Sequence, residues 1–117
     1  MKKKEITLCG KQVIIAYCFA TEIAFQKYTG VGFDKFDPMN PEHVIYIVLA
    51  ALLSYYESEK LEIPVKDTDL MYHATPTELT TALTEIFTLR NEWYEVPKGD
   101  KKDNQTADKE GKEEKNA

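Results

Sequence analysis

The stretch Lys4–Gly30, "KEITLCGKQVIIAYCFATEIAFQKYTG", changes its hydrophobic rhythm near its middle. As far as Tyr17 the apolar side chains alternate, and from Phe19 they recur at helical spacing. The alternation over residues 5–17, broken at Gly10-Lys11, predicts a β-hairpin. A Gly-X pair suits a two-residue type II′ turn, which sets Cys9 opposite Gln12, Leu8 opposite Val13 and Ile6 opposite Ile15. Those four apolar side chains then share one face with Tyr17, and that face is expected against a core. Glu5, Thr7, Gln12, Ile14 and Ala16 make up the other face, open to solvent or a partner. Ile14 is therefore a candidate partner-binding residue.

Working outward, "FATEIAFQKYTG" predicts a helix over about 19–29, closed by Gly30 in the left-handed position that follows many helices. Phe19 and Ile23, with Tyr28 or Ala24, are its expected apolar stripe. The loop "VGFDKFDPM" carries Phe33 and Phe36, placed to tuck beneath it. Asn40 as cap, Pro41 at the first position and Glu42 at the positive end of the dipole start a helix over 41–60. Its middle, "VIYIVLAALL", is apolar on every side, which marks either the centre of a bundle or a helix covered by another chain. A short helix over 67–73 follows, with Asp67 or Thr68 as cap. "TPTE" at 75–78 is a capping box with Pro at the first position, and it opens a helix over 76–94.

The expected fold class is mainly α (α+β): an N-terminal β-hairpin packed on a small bundle of three to four helices. Residues 1–96 form one domain. Residues 97–117 hold no aromatic and no aliphatic larger than alanine, and are expected to be a disordered charged tail.

Charge narrows the function classes. The 117-residue chain has a formal net charge of −5. The six lysines and six acids after Val96 cancel, so the negative charge belongs to residues 1–96. An acidic body without a basic stripe repels phosphate backbones, so nucleic acid is an unsuitable partner. Two cysteines, Cys9 and Cys18, are too few for a disulfide framework, and in the hairpin they fall near opposite ends, about 20 Å apart. A reducing cytoplasm is the expected setting. "MKKK" is followed by the charged and polar "EITLCGKQVII" rather than an apolar signal region. The longest apolar run covers about half of what a bilayer-spanning helix needs, so no membrane is expected.

No catalytic or metal constellation is evident. His43 and His73 with the two cysteines lie in four separate segments and contain no close-spaced ligand pair. "GVG" at 30–32 follows a helix and lacks the trailing Gly-Lys of a phosphate loop. Ser54 and Ser58 have no neighbouring histidine to serve as base, and Glu57, Glu59 and Glu62 read as a solvated helix end. The chain is expected to be no enzyme and to need no cofactor. Tyr46, Tyr55 and Tyr56 cannot all point into one core. Tyrosine buries a ring while wetting its hydroxyl, so these three join Ile14 as candidate partner-binding residues.

The order of "ITLCGKQVIIAYCF", "EIAFQKYTG", "VIYIVLAALLSYY" and "TPTELTTALTEIF", followed by a polar Lys/Glu-rich end, resembles the small tail assembly chaperones of long-tailed bacteriophages and prophages. The resemblance spans roughly residues 5–95. It implies a non-catalytic protein of the host-cell cytoplasm that binds the tape measure and/or the tail tube protein during tail assembly. The all-round apolar helix and the unpaired outer edges of the hairpin, for their part, suit a protein that associates with its own copies. The alternative is a small helical regulatory or oligomerising interaction domain.

Overall fold

The structure is a computed structural model and describes residues 1–95. It is the expected fold: an antiparallel hairpin of β1 (Lys3–Leu8) and β2 (Lys11–Ala16), then α1 (Phe19–Thr29), α2 (Pro41–Tyr56), α3 (Asp67–His73) and α4 (Pro76–Tyr94). A 3₁₀ turn at Phe33–Lys35 joins α1 to α2. The expectation for residues 97–117 lies outside the described residues.

The hairpin register differs from the expected one. Ile6 pairs with Val13, Thr7 with Gln12 and Leu8 with Lys11, so the turn is Cys9-Gly10 rather than Gly10-Lys11. Cys9 and Gly10 have φ of 54° and 75°. Two successive positive φ values mark a type I′ turn, whose twist matches that of the flanking strands. The slip moves β2 by two residues, and side chains alternate with period two, so the faces are kept. Ile6, Leu8, Val13, Ile15 and Tyr17 are all buried. Ala16, expected on the open face, is also buried, so β2 is enclosed on both sides at its end.

A non-glycine residue at positive φ needs outside support, and Cys9 has it. The Glu78 carboxylate accepts the backbone N–H of Cys9 at 3.0 Å and of Gly10 at 3.1 Å. The Cys9 thiol donates to the Asp69 carbonyl at 3.4 Å. Glu78 is also the acid of the capping box on α4. Its carboxylate accepts the Thr75 N–H, and the Thr75 hydroxyl accepts the Glu78 N–H. One side chain therefore ends the hairpin and starts the last helix.

α2 is the centre of the bundle. Ile45, Ile47, Val48, Leu49, Ala50, Ala51, Leu52 and Ser54 are buried, and β2, α1, α3 and α4 all pack against it. Of the two readings of an all-round apolar helix, the bundle centre holds: the chain covers it with its own elements. The regular helix ends at Tyr56, short of the expected Lys60. The backbone keeps coiling to a Schellman-type stop, in which Lys60 takes φ 58° and the Leu61 N–H reaches the Tyr56 carbonyl at 2.8 Å.

α1 turns a different face inward from the one expected. Thr21 and Phe25 are buried, whereas Phe19, Ile23 and Tyr28 are exposed. A two-residue offset is more than half a helical turn, so Phe19 and Ile23 lie opposite Thr21 and Phe25, whereas Tyr28, seven residues after Thr21, lies at the edge of the inward face and stacks on Tyr46. A buried hydroxyl relay selects the face. The Cys18 N–H donates to Thr21 Oγ1, the Thr21 hydroxyl donates to Ser54 Oγ, and the Ser54 hydroxyl donates to the Ala50 carbonyl. Phe25 then meets Phe33 and Phe36, which tuck beneath the helix as expected. On α3 the cap is Lys66, not Asp67 or Thr68, because the Asp69 carboxylate reaches back to the Lys66 N–H at 2.9 Å.

Glu78→Ala should lower stability by about 1–2 kcal/mol, since three backbone donors lose a charged acceptor at a partly exposed site. Hydrogen bonds from the backbone of Thr75, then of Gly10 and Cys9, hold the Glu78 carboxyl below its ordinary value of 4.5. Its stabilisation is therefore complete above that value and is lost as pH falls through the lower folded value. Urea titrations of the native protein and the Ala variant, repeated at falling pH, should converge in acid.

Candidate protein-docking surface

Ile14, Tyr55 and Tyr56 come together beside the hairpin. The Tyr56 hydroxyl accepts the Ile14 N–H at 3.2 Å. Ile14 lies between hydrogen-bonded pairs of the ladder, so its N–H points away from β1. Tyr56 thus satisfies one outward donor of an edge strand from within the chain. The Tyr55 ring stands edge-on to Tyr56, with centroids 4.9 Å apart, and the Lys3 ammonium lies 5.4 Å from the Tyr55 ring centroid. Tyr56 has a structural part in closing the sheet edge.

Tyr46 stands apart, on the one stripe of α2 that the other elements leave open. Its ring stacks on Tyr28 of α1, centroids 5.0 Å apart and planes within 8° of parallel. Its hydroxyl reaches the Asp67 carboxylate at 3.4 Å, and burial followed by the Asp67 charge pushes the phenol above its ordinary value. On one side of this tyrosine pair a cleft of about 550 Å³ opens between α2, α3 and the start of α4, floored by Ile45, Leu70 and Leu79. On the other side, hollows of about 270 and 260 Å³ continue over Leu49 and Leu53 to Lys27 and Glu57. The hollows share Tyr28 and Leu53, and the Tyr28–Tyr46 stack with the Tyr46–Asp67 contact forms a sill between them and the cleft, so the groove along α2 is a row of three depressions. From Glu42 to Glu57 this groove follows α2 for about 22 Å at 1.5 Å per residue.

A second apolar surface lies where α1 begins and α4 ends. Phe19 is 59% and Ile23 60% exposed. Phe19 stands edge-on to Trp93 at 5.5 Å and near Tyr94 at 6.3 Å. Beneath them Glu22 accepts the hydroxyls of Tyr17 and Tyr94, each at 2.6 Å. Both phenols are held above their ordinary value, Tyr17 chiefly by burial and Tyr94 chiefly by the Glu22 bond. The Arg90 guanidinium lies over the rings of Phe33 and Tyr94, at 5.1 and 4.9 Å. Its Nε is 3.9 Å from Glu22, an ion pair too long to be a hydrogen bond.

Sequence reasoning missed the exposed faces of α1 and α3. Phe19 and Ile23 were assigned inward, and Met71 was not singled out. A signal for Met71 was present: in "DLMYH" three consecutive large residues occupy a helix whose narrow buried face has room for one, Leu70. The histidines are lightly engaged. His43 Nδ1 accepts the Asp37 N–H at 3.0 Å, and His73 is exposed at the end of α3. Among the described residues, no three His, Cys, Asp or Glu gather as metal ligands, both cysteines are free, and no helix is long and apolar enough to cross a membrane. A comparison with protein-family models, curated proteins and solved structures gives no match to this chain.

Tyr56→Phe removes the acceptor of the Ile14 N–H and nothing else of its size. Amide exchange at Ile14 should accelerate, with a stability loss of about 0.5–1.5 kcal/mol. Unchanged protection at that amide would show that Tyr56 does not hold the sheet edge.

Proposed function

We propose that this chain is a non-catalytic assembly chaperone of the phage-tail kind, holding a helical segment of the tape measure protein or of the tail tube protein until assembly consumes it. The groove along α2 carries this reading. It is apolar along its floor, lined with tyrosine at its middle, and wide enough at one end for large side chains, the arrangement by which grooves hold amphipathic helices. The order of elements that prompted the family resemblance adds support. So does the use made of the hydroxyls: Thr21 and Ser54 are spent on each other and on the backbone, away from either histidine. A host-cell cytoplasmic setting belongs to the same reading.

α2 is covered from within except along the groove, so it offers a second copy no more than that stripe. The Phe19–Ile23–Tyr94 surface now supports the alternative reading, an oligomerising domain that meets a second copy through this patch. Ile23→Asp should then lower the sedimentation coefficient of any oligomer while leaving circular dichroism unchanged.

The chaperone reading is tested by mixing the protein with helical fragments of the tape measure and tube proteins encoded beside its gene. One of them should co-elute with it as a soluble complex, weakened about tenfold by Tyr28→Asp in the groove. A gene neighbourhood with neither protein, or no complex with either, would overturn it.

A further inference from the structure

The cleft at the α2–α3 end of the groove has a chemistry that narrows what can occupy it. Its floor, Ile45, Leu70 and Leu79, is aliphatic, and Met71 at the rim is 49% exposed. Methionine is unbranched and adapts to whatever apolar shape it meets. Such a surface takes large apolar side chains.

The occupant's backbone is constrained as well. α2 and α4 spend their interior N–H and C=O groups on their own ladders, so the helical walls hold no row of free backbone partners. An extended peptide would leave its own groups unpaired there. A helix arrives with those groups already bonded.

Charge completes the description. Glu42 is the one acidic or basic residue lining the cleft. Asp67, which accepts the Tyr46 hydroxyl, lies outside the cleft and lines the neighbouring hollow together with Lys66. Among the described residues neither carboxylate pairs with a lysine or arginine. From this combination we infer that the cleft takes an amphipathic α-helix of a partner whose apolar stripe is flanked by lysine or arginine, the apolar side chains seated on Leu70 and Leu79 and a cation facing Glu42. This rests on the docking reading above and adds the partner's chemistry to it.

The probes are two labelled synthetic helices of about fifteen residues, one patterned with leucine and lysine and one with leucine and glutamate, followed by fluorescence anisotropy on the full chain. The leucine–lysine helix should bind at least about tenfold more tightly than its glutamate counterpart. Glu42→Lys should weaken it about tenfold. Met71→Asp adds negative charge and so strengthens diffuse attraction to a cationic helix; a loss of about tenfold in this variant therefore reports apolar seating in the cleft. Ile23→Asp, on the far face, should leave binding unchanged. Circular dichroism of each variant checks that the helices persist, and Glu42→Gln serves if Glu42→Lys unfolds. Equal affinity for both probes, or affinity for the leucine–lysine helix unmoved by Glu42→Lys and Met71→Asp, would overturn the inference. Failure of the tape measure and tube fragments to bind, with the probe pattern intact, would overturn only the identity of the partner.

Discussion

A helix that is apolar around its whole circumference loses stability with every side left wet, and this constraint on α2 organises everything else in the fold. Burying a large aliphatic side chain contributes roughly 1.5–3 kcal/mol, so each face of α2 left bare would forfeit several such terms. The chain meets the demand with four different elements: β2, α1, α3 and α4. The hairpin is part of that answer. Two strands alone are marginal in water, and these two gain their stability by laying Ile6, Leu8, Val13 and Ile15 on the helical core. The stripe from Tyr46 to Leu53 is what remains after the covering elements are used up, which is why the groove lies there.

Polar groups determine how the covering elements sit. The Thr21–Ser54 relay fastens the first turn of α1 to the last turns of α2 inside the core, where an unpaired hydroxyl would be costly. That requirement, together with the burial of the Phe25 ring on the same face, outweighs the side chains of Phe19 and Ile23 and turns them outward. The exposed aromatic patch is thus a by-product of a buried hydrogen-bond relay, and a surface available for other use.

Much of this was legible in the chain. Capping chemistry is local, so Asn40-Pro41 and Thr75-Pro76 with Glu78 placed the starts of α2 and α4. Alternation is local too, and it assigned the hairpin faces even though the turn was misplaced by a residue. Two kinds of information were missing. The inward face of α1 depends on Ser54, a partner 33 residues away, and an α1 with apolar residues on both sides carries no directional signal of its own. The turn depends on Glu78, which holds Cys9 in a conformation that its own neighbours do not favour. Of the four residues marked for partner contact, Ile14 and Tyr56 proved to satisfy each other. Tyr46 alone lies on the groove, and the cleft beside it is assembled from three elements whose meeting no local pattern records.

The bond between Cys9 and Glu78 spans 69 residues, and a ribosome delivers its two ends at different times. At about 5–20 residues per second, the turn waits roughly 3–14 s for the carboxylate that secures it. Through that interval the turn lacks its carboxylate acceptor, and the apolar face of the hairpin has no α2 to pack on until that helix emerges. The last hydrogen bonds to the turn form when α4 begins to coil and the Glu78 carboxylate in its first turn meets the Cys9 and Gly10 N–H groups. Closure of the fold is therefore an event of the last-made helix, and a nascent chain stalled before residue 78 would carry its own sticky edge into the crowd.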